Sequence, residues 1–350
     1  MRKTIVVLLA AVALVVGACG DDSEPKADAA KTDTTAAPVT VRLGYFPNIT
    51  HATALVGVAK GIYEEHLGTD TLEAQTFNAG PAAIEALFAN AIDATYVGPN
   101  PAINAWAQSN GSAIKIVAGA TSGGAGLVVK PEITKAADLK GKKIASPQLG
   151  NTQDVALKHW LKGEGLTVDG ATGTGDVTIT PQDNGLTLQL FQTGEIAGAW
   201  VPEPWVTRLV QEGGGKVLVD EKTLWPGGDF VTTHLIVRAE FLKEHSGAVR
   251  GLLQGHVAAT KFVQDNTADA QATANAEIER ITTKKLAPGV IVNAWKSLRF
   301  TNDPIASSLK TGAKHAQAIG LLKPVDLAGI YDLKLLNAIL DAAGEDLVKA

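Results

Sequence analysis

Two turns in this chain could hold an anion without a basic side chain. Residues 76–81 (T-F-N-A-G-P) and 96–101 (Y-V-G-P-N-P) each lead from a β-type stretch into a helix-type one. A helix start offers free backbone N–H groups and the positive end of the helix dipole, so it attracts negative charge. Asn78, Gly80, Gly98 and Asn100 are the candidates there, and Asn100 also suits an N-cap. Thr121 and Ser122 could add hydroxyls, and Gln148, Asn151 and Thr152 open another helix farther on. Asn48 and His51 follow the first β-type run. In Trp200-Val201-Pro202-Glu203-Pro204-Trp205 a carboxylate stands between two prolines. Glu203 could pair with a ligand amine while Trp200 packs on its carbon chain. Each residue also has a plainer reading: an ordinary turn, a cap, a neutral structural histidine, a solvated carboxylate beside core tryptophans. None of these loops contains Lys or Arg. A tightly held dianion calls for a guanidinium fork, whereas a monoanion can be held by helix ends, amides and hydroxyls. Adding Glu203 shifts the preference to a zwitterion.

The elements that must position these residues alternate. Strands are expected at 39–46, 71–77, 92–97 and 114–120, with helices at about 51–66, 82–90 and 101–108. The pattern repeats from 127 to about 230. A strand at 233–238 returns to the first lobe, and the remainder is helical packing for that lobe, including a helix over 288–300. The expected fold is α/β, a clamshell of two lobes crossed twice by the chain. Lobe one takes 39–126 and 231–350, and lobe two takes 127–230. Small polar ligands suit the cleft between such lobes, which a hinge can close.

The first residues have their own pattern. Arg2 and Lys3 precede an apolar run over 5–16, too short for a comfortable membrane span. Val16-Gly17-Ala18-Cys19 follows, similar to a bacterial lipobox, which implies a signal peptide over 1–19 and lipid on Cys19. Residues 20–38 hold no large apolar side chain and read as a flexible tether. Cys19 is the sole cysteine, so no intrachain disulfide or Cys-based zinc site is expected. No cofactor or metal motif is found. The net charge of −5 argues against nucleic acid.

Several phrases carry a resemblance: G-Y-F-P-N (44–48), F-N-A-G-P-A-A-I-E-A-L (77–87), I-D-A-T-Y-V-G (92–98), A-D-L-K-G-K-K-I-A-S-P (137–147) and A-W-V-P-E-P-W (199–205). Together the chain resembles substrate-binding proteins of ABC importers, in the nitrate, taurine and aliphatic sulfonate branch. The resemblance implies the type II periplasmic-binding-protein clamshell. It implies an extracytoplasmic monomer, lipid-anchored to the cell membrane, that captures an aliphatic sulfonate or taurine. Its partners are then a permease with its ATPase, and it is not an enzyme. Nitrate and a thiamin-precursor pyrimidine stay open as ligands. A pyrimidine-synthase-like enzyme is the more distant alternative, since that group carries a Cys-rich motif and this chain has no Cys after Cys19.

Overall fold

The computed structural model describes residues 37–350. The expected signal peptide, Cys19 and the tether as far as residue 36 lie outside the described residues. In chain order the elements are β1 (Thr40–Tyr45), α1 (Ala52–Ala59), α2 (Ile62–Leu67), β2 (Thr71–Thr76), α3 (Gly80–Phe88), β3 (Ala94–Val97), α4 (Pro99–Gln108), β4 (Ile114–Gly123) and β5 (Ala125–Val129). Next come β6 (Lys143–Ser146), α5 (Thr152–Gly163), β7 (Thr178–Pro181), α6 (Asn184–Thr193), β8 (Gly198–Pro202), α7 (Trp205–Gln211) and β9 (Lys216–Asp220). Then follow β10 (Val231–Arg238), α8 (Ala239–Glu244), α9 (Ser246–Asp265), α10 (Thr267–Thr282), α11 (Pro288–Lys296), β11 (Leu298–Phe300), α12 (Ala306–Ala318) and α13 (Lys334–Ala343).

These strands form two sheets, each the spine of a lobe. One has the order β2-β1-β3-β10-β4-β11, the other β7-β6-β8-β5-β9. In each, three parallel strands are followed by an antiparallel one that enters from the opposite lobe: β10 in the first, β5 in the second. The chain leaves the first sheet through Gly123 and Gly124, whose φ values of +82° and +72° lie in the left-handed region that favours glycine. Residues 298–300, expected as a helix end, instead pair antiparallel with β4, with Phe300 opposite Thr121. The ten-residue β4 has a free outer edge there, and a paired edge satisfies more backbone groups.

Central strands covered on both faces become apolar on both faces. In lobe two, Leu127, Val129 and Trp200 pack on one side of the sheet, and Val128, Ala199 and Val201 pack on the other. Lobe one repeats this, with Leu43 and Tyr45 on one side and Ile103 and Trp106 on the other.

The lobes are closed on each other. Val155 of α5 meets Ala316 and Ile319 of the α12 end in a small apolar cluster. So α12 packs on lobe two as well as on lobe one. Beside that cluster His159 and His315 stack with ring centroids 3.7 Å apart and planes 14° apart. Burial, with His159 adding to it, pushes His315 down to about 4, and burial with Lys162 lowers His159. Both rings therefore pack neutral while the unfolded chain binds protons below about 6.5. The unfolded state gains protons first, so stability falls as pH drops from about 6.5 toward 4. Buried His51, His234 and His256 slope the same way. Melting curves of His315→Gln against the parent, from pH 7 to pH 4.5, are expected to show a shallower acid decline in the variant. Parallel curves would remove the stacked pair from the acid response.

A candidate anion site between the lobes

The carboxyl ends of the parallel strands of both sheets point at one small cavity, as expected for open α/β sheets. It measures about 20 Å³, on the scale of one or two waters. Lobe one lines it with Asn48 and His51 after β1, Asn78 after β2, Gly98 after β3, and Thr232 and Thr233 on the inserted strand β10. Lobe two adds Pro147, Asn151, Thr152 and Gln153 around the α5 start, with Asn184 at the α6 start and Pro202 ending β8. Among the described residues no Asp, Glu, Lys or Arg lines it.

Local chemistry fixes this wall. The buried Asp154 carboxylate accepts from the Ser146 hydroxyl at 2.7 Å, the Gly150 N–H at 2.9 Å and the Lys158 ammonium at 2.8 Å. That clamp holds the turn from β6 into α5. Asn151 caps α5 by accepting the Thr152 N–H at 2.7 Å, which leaves the next first-turn N–H groups to face the cavity end. On the other side, Pro99 and Pro101 remove two donors from the α4 start, so among residues 99–101 only Asn100 keeps a backbone N–H there. The His51 ring is neutral, because burial pushes it down to about 3. Its Nδ1 accepts the Phe46 N–H at 3.3 Å, which puts the ring proton on Nε2 as a donor.

Three buried polar atoms in this cavity have no protein partner among the described residues: Thr152 Oγ1, Thr233 Oγ1 and Asn184 Oδ1. Leaving such a group unpaired costs about 1–3 kcal/mol each. Two hydroxyls and an amide whose ends are interchangeable can all donate to one anion. Together with the N–H groups and the His51 ring they could donate to a group of a few atoms with one negative charge.

Residues 34–278 match the model of the NMT1-like family. The chain belongs to that family. Among curated relatives, a protein of Brucella abortus (strain 2308), whose name goes no further than a provisional "binding protein", is 30% identical over 220 residues, 61% of this chain and 64% of that protein. The taurine-binding periplasmic protein of Escherichia coli (strain K12) is 28% identical over 207 residues, 58% of this chain and 61% of its own length. The matches thus span less than two thirds of these relatives. Among solved structures, the alkanesulfonate-binding protein SsuA from Xanthomonas axonopodis pv. citri, bound to MOPS, superposes with a TM-score of 0.69. It is 20% identical and covers 85% of this chain and 99% of that one, a likeness of fold.

In this NMT1-like protein six of the expected site residues line the cavity: Asn48, His51, Asn78, Gly98, Asn151 and Thr152. Seven do not. Gly80 is a packing glycine, since any Cβ there would run into the Pro101 ring. Asn100 does not cap α4, whose N-cap is Gly98; its amide donates to the Gly312 carbonyl at 3.3 Å. Thr121 donates to the Thr50 carbonyl at 2.7 Å and so holds the turn that carries His51. Ser122 is buried between β10 and β11. Gln148 only accepts the Asn151 N–H through its carbonyl.

Trp200 cannot pack on a ligand. It stands opposite Leu127 in the β5–β8 ladder, fully buried in the lobe-two core, and its Nε1 donates to Glu221 at 2.7 Å. Glu203 is also turned away. Its two oxygens accept the Thr207 N–H at 3.1 Å and the Thr207 hydroxyl at 2.9 Å. Its own N–H donates to the Gly124 carbonyl at 2.8 Å, beside the first crossover. Trp205, five residues after Trp200, is the tryptophan of this motif that reaches the cleft. Its Nε1 donates across the lobes to Asn48 Oδ1 at 2.9 Å. Thr232, Thr233 and Asn184 were not among the expected residues. The available signal was polarity: Thr232-Thr233-His234 interrupts a buried strand, and Asn184 opens a helix at a strand end as Asn151 does.

Proposed function

We propose that this protein is an extracytoplasmic solute-binding protein that captures an aliphatic sulfonate and delivers it to an ABC importer. The observation that carries this is the uncharged cavity at the two-lobe interface with three unpaired buried polar atoms. Partners of that kind can hold a small anion, and a lining without a guanidinium fork favours a monoanion over a dianion. The taurine-binding and alkanesulfonate-binding relatives support the same ligand class. The case for a zwitterion rested on Glu203, which bonds to Thr207 instead, so a plain alkanesulfonate is favoured over taurine. On this reading the protein is a carrier and not an enzyme, as its taurine-binding and alkanesulfonate-binding relatives are binding proteins. Its partner is a permease with its ATPase, and Cys19 supplies a lipid anchor to the membrane, with residues 20–38 as the tether.

A thermal-shift screen at millimolar ligand tests the reading. A micromolar binder then stabilises by about 4 kcal/mol. Alkanesulfonates are expected to raise the melting temperature above nitrate, bicarbonate and aminopyrimidines. A shift with nitrate or an aminopyrimidine and none with any sulfonate would overturn it. Mass spectrometry finding no diacylglycerol on Cys19 would overturn the anchor.

A further inference from the structure

The small cavity has a larger neighbour that shares part of its lining. A second cavity of about 490 Å³ begins at Asn48, Asn78 and Asn184, the same three residues that close the first on that side. Such a volume is that of a site for a whole organic molecule. Both lobes contribute to it. Lobe two provides Leu186, Leu188 and Trp205, and lobe one provides Ile278 and Leu286, with the polar Gln189, Gln192 and Thr282 between them. Leu186 is 46% exposed, one of the few large apolar side chains among the described residues left so open.

Its charged groups balance. Arg208 is bound to Glu212 at 2.9 Å and lies 4.6 Å over the Trp205 ring, and the other two are Asp183 and Lys284, of opposite sign and exposed. The four charges of this lining sum to zero. Its bond to Asn48 ties the Trp205 ring to the wall of this cavity.

Resting on the sulfonate reading above, we infer that the outer cavity is a second subsite, which takes an uncharged apolar or aromatic tail while the inner cavity holds the anionic head. The ligand class is then a sulfonate with a tail of several carbons, such as hexanesulfonate or benzenesulfonate, in preference to methanesulfonate or taurine. Trp205 and Leu186 set that preference.

Each methylene moved from water to an apolar wall strengthens binding about fourfold. Calorimetric titration with methanesulfonate, taurine, hexanesulfonate and benzenesulfonate is expected to show hexanesulfonate at least about a hundredfold tighter than methanesulfonate. Leu186→Gln and Trp205→Ala should each cut that ratio about tenfold or more. Trp205→Phe loses the bond to Asn48 and keeps an apolar ring, so it should retain most of the ratio. Equal affinities across the series overturn the inference and leave the sulfonate reading standing. So does a chain-length preference that Leu186→Gln and Trp205→Ala both leave intact. Absence of binding by all four compounds overturns both.

Discussion

Gly98→Ala is expected to weaken every ligand alike, by about ten- to a hundredfold. The backbone at Gly98, with φ −69° and ψ 162°, accepts alanine without strain. Lobe one alone therefore loses nothing by the change. The conflict arises only across the cleft. A Cβ on Gly98 would stand 3.4 Å from Thr152 Cβ and well inside contact distance of Thr152 Oγ1, with the Thr232 carbonyl at 3.6 Å on the other side. Overpacking of this kind costs about 1–3 kcal/mol. Here that cost falls on the closed arrangement alone, so it moves the open–closed balance and taxes each ligand by the same factor. The change would leave selectivity among ligands as it was. Thr152→Ala removes the colliding oxygen, so the two substitutions should couple: the double variant should bind better than the sum of the single losses predicts. Calorimetry with one sulfonate on the four proteins measures this. Additive losses would mean that Gly98 acts by some route other than contact with Thr152.

That contact also shows why the candidate site was only half legible in the sequence. Asn78, Gly98, Asn151 and Thr152 were found because one rule reaches them: a helix starting at the end of a parallel strand faces the crevice. Thr232 and Thr233 obey no such local rule. They lie on β10, which runs antiparallel into lobe one after the chain has built lobe two, and their place in the cleft is a matter of topology. The tryptophans separate on a finer point. Trp200 is inside β8, a strand covered on both faces, so either face leads to core. Trp205 comes after the strand has ended at Pro202, where side chains meet the cleft. Locating that end decides which ring touches a ligand, and five residues separate the two answers. The fold was more legible, because alternating strand and helix patterns are local and frequent. Its error at residues 298–300 is of the same kind as the missed threonines: the pairing partner of β11 is β4, some 180 residues earlier.

Glu203→Gln should change how stability depends on pH and leave ligand choice alone. Glu203 is 2% exposed, and burial pushes its carboxyl up to about 7, against the pull of its two bonds from Thr207 and with a further rise from nearby Asp220. Between its ordinary value of 4.5 and about 7 the folded state holds a proton that the unfolded state has lost. Stability is therefore highest below pH 4.5 on this account, falls as pH rises through that window, and stays reduced above it. The full penalty for ionising the buried group is about 3 kcal/mol. A glutamine has the same shape, its amide oxygen can still accept from Thr207, and it carries no charge at any pH. The variant's advantage over the parent should thus grow from near zero at pH 4.5 to roughly that value above pH 7. The histidines slope the other way below pH 6.5 but are common to both proteins, so they cancel in the difference. Urea unfolding of the pair at four or five pH values measures it. In the same proteins the order of affinities among methanesulfonate, hexanesulfonate and taurine should be unchanged, because no oxygen of Glu203 lines either cavity. A pH-independent difference accompanied by a reordered ligand series would return Glu203 to the site and sink its assignment as a carboxyl that steadies the turn beside the crossover.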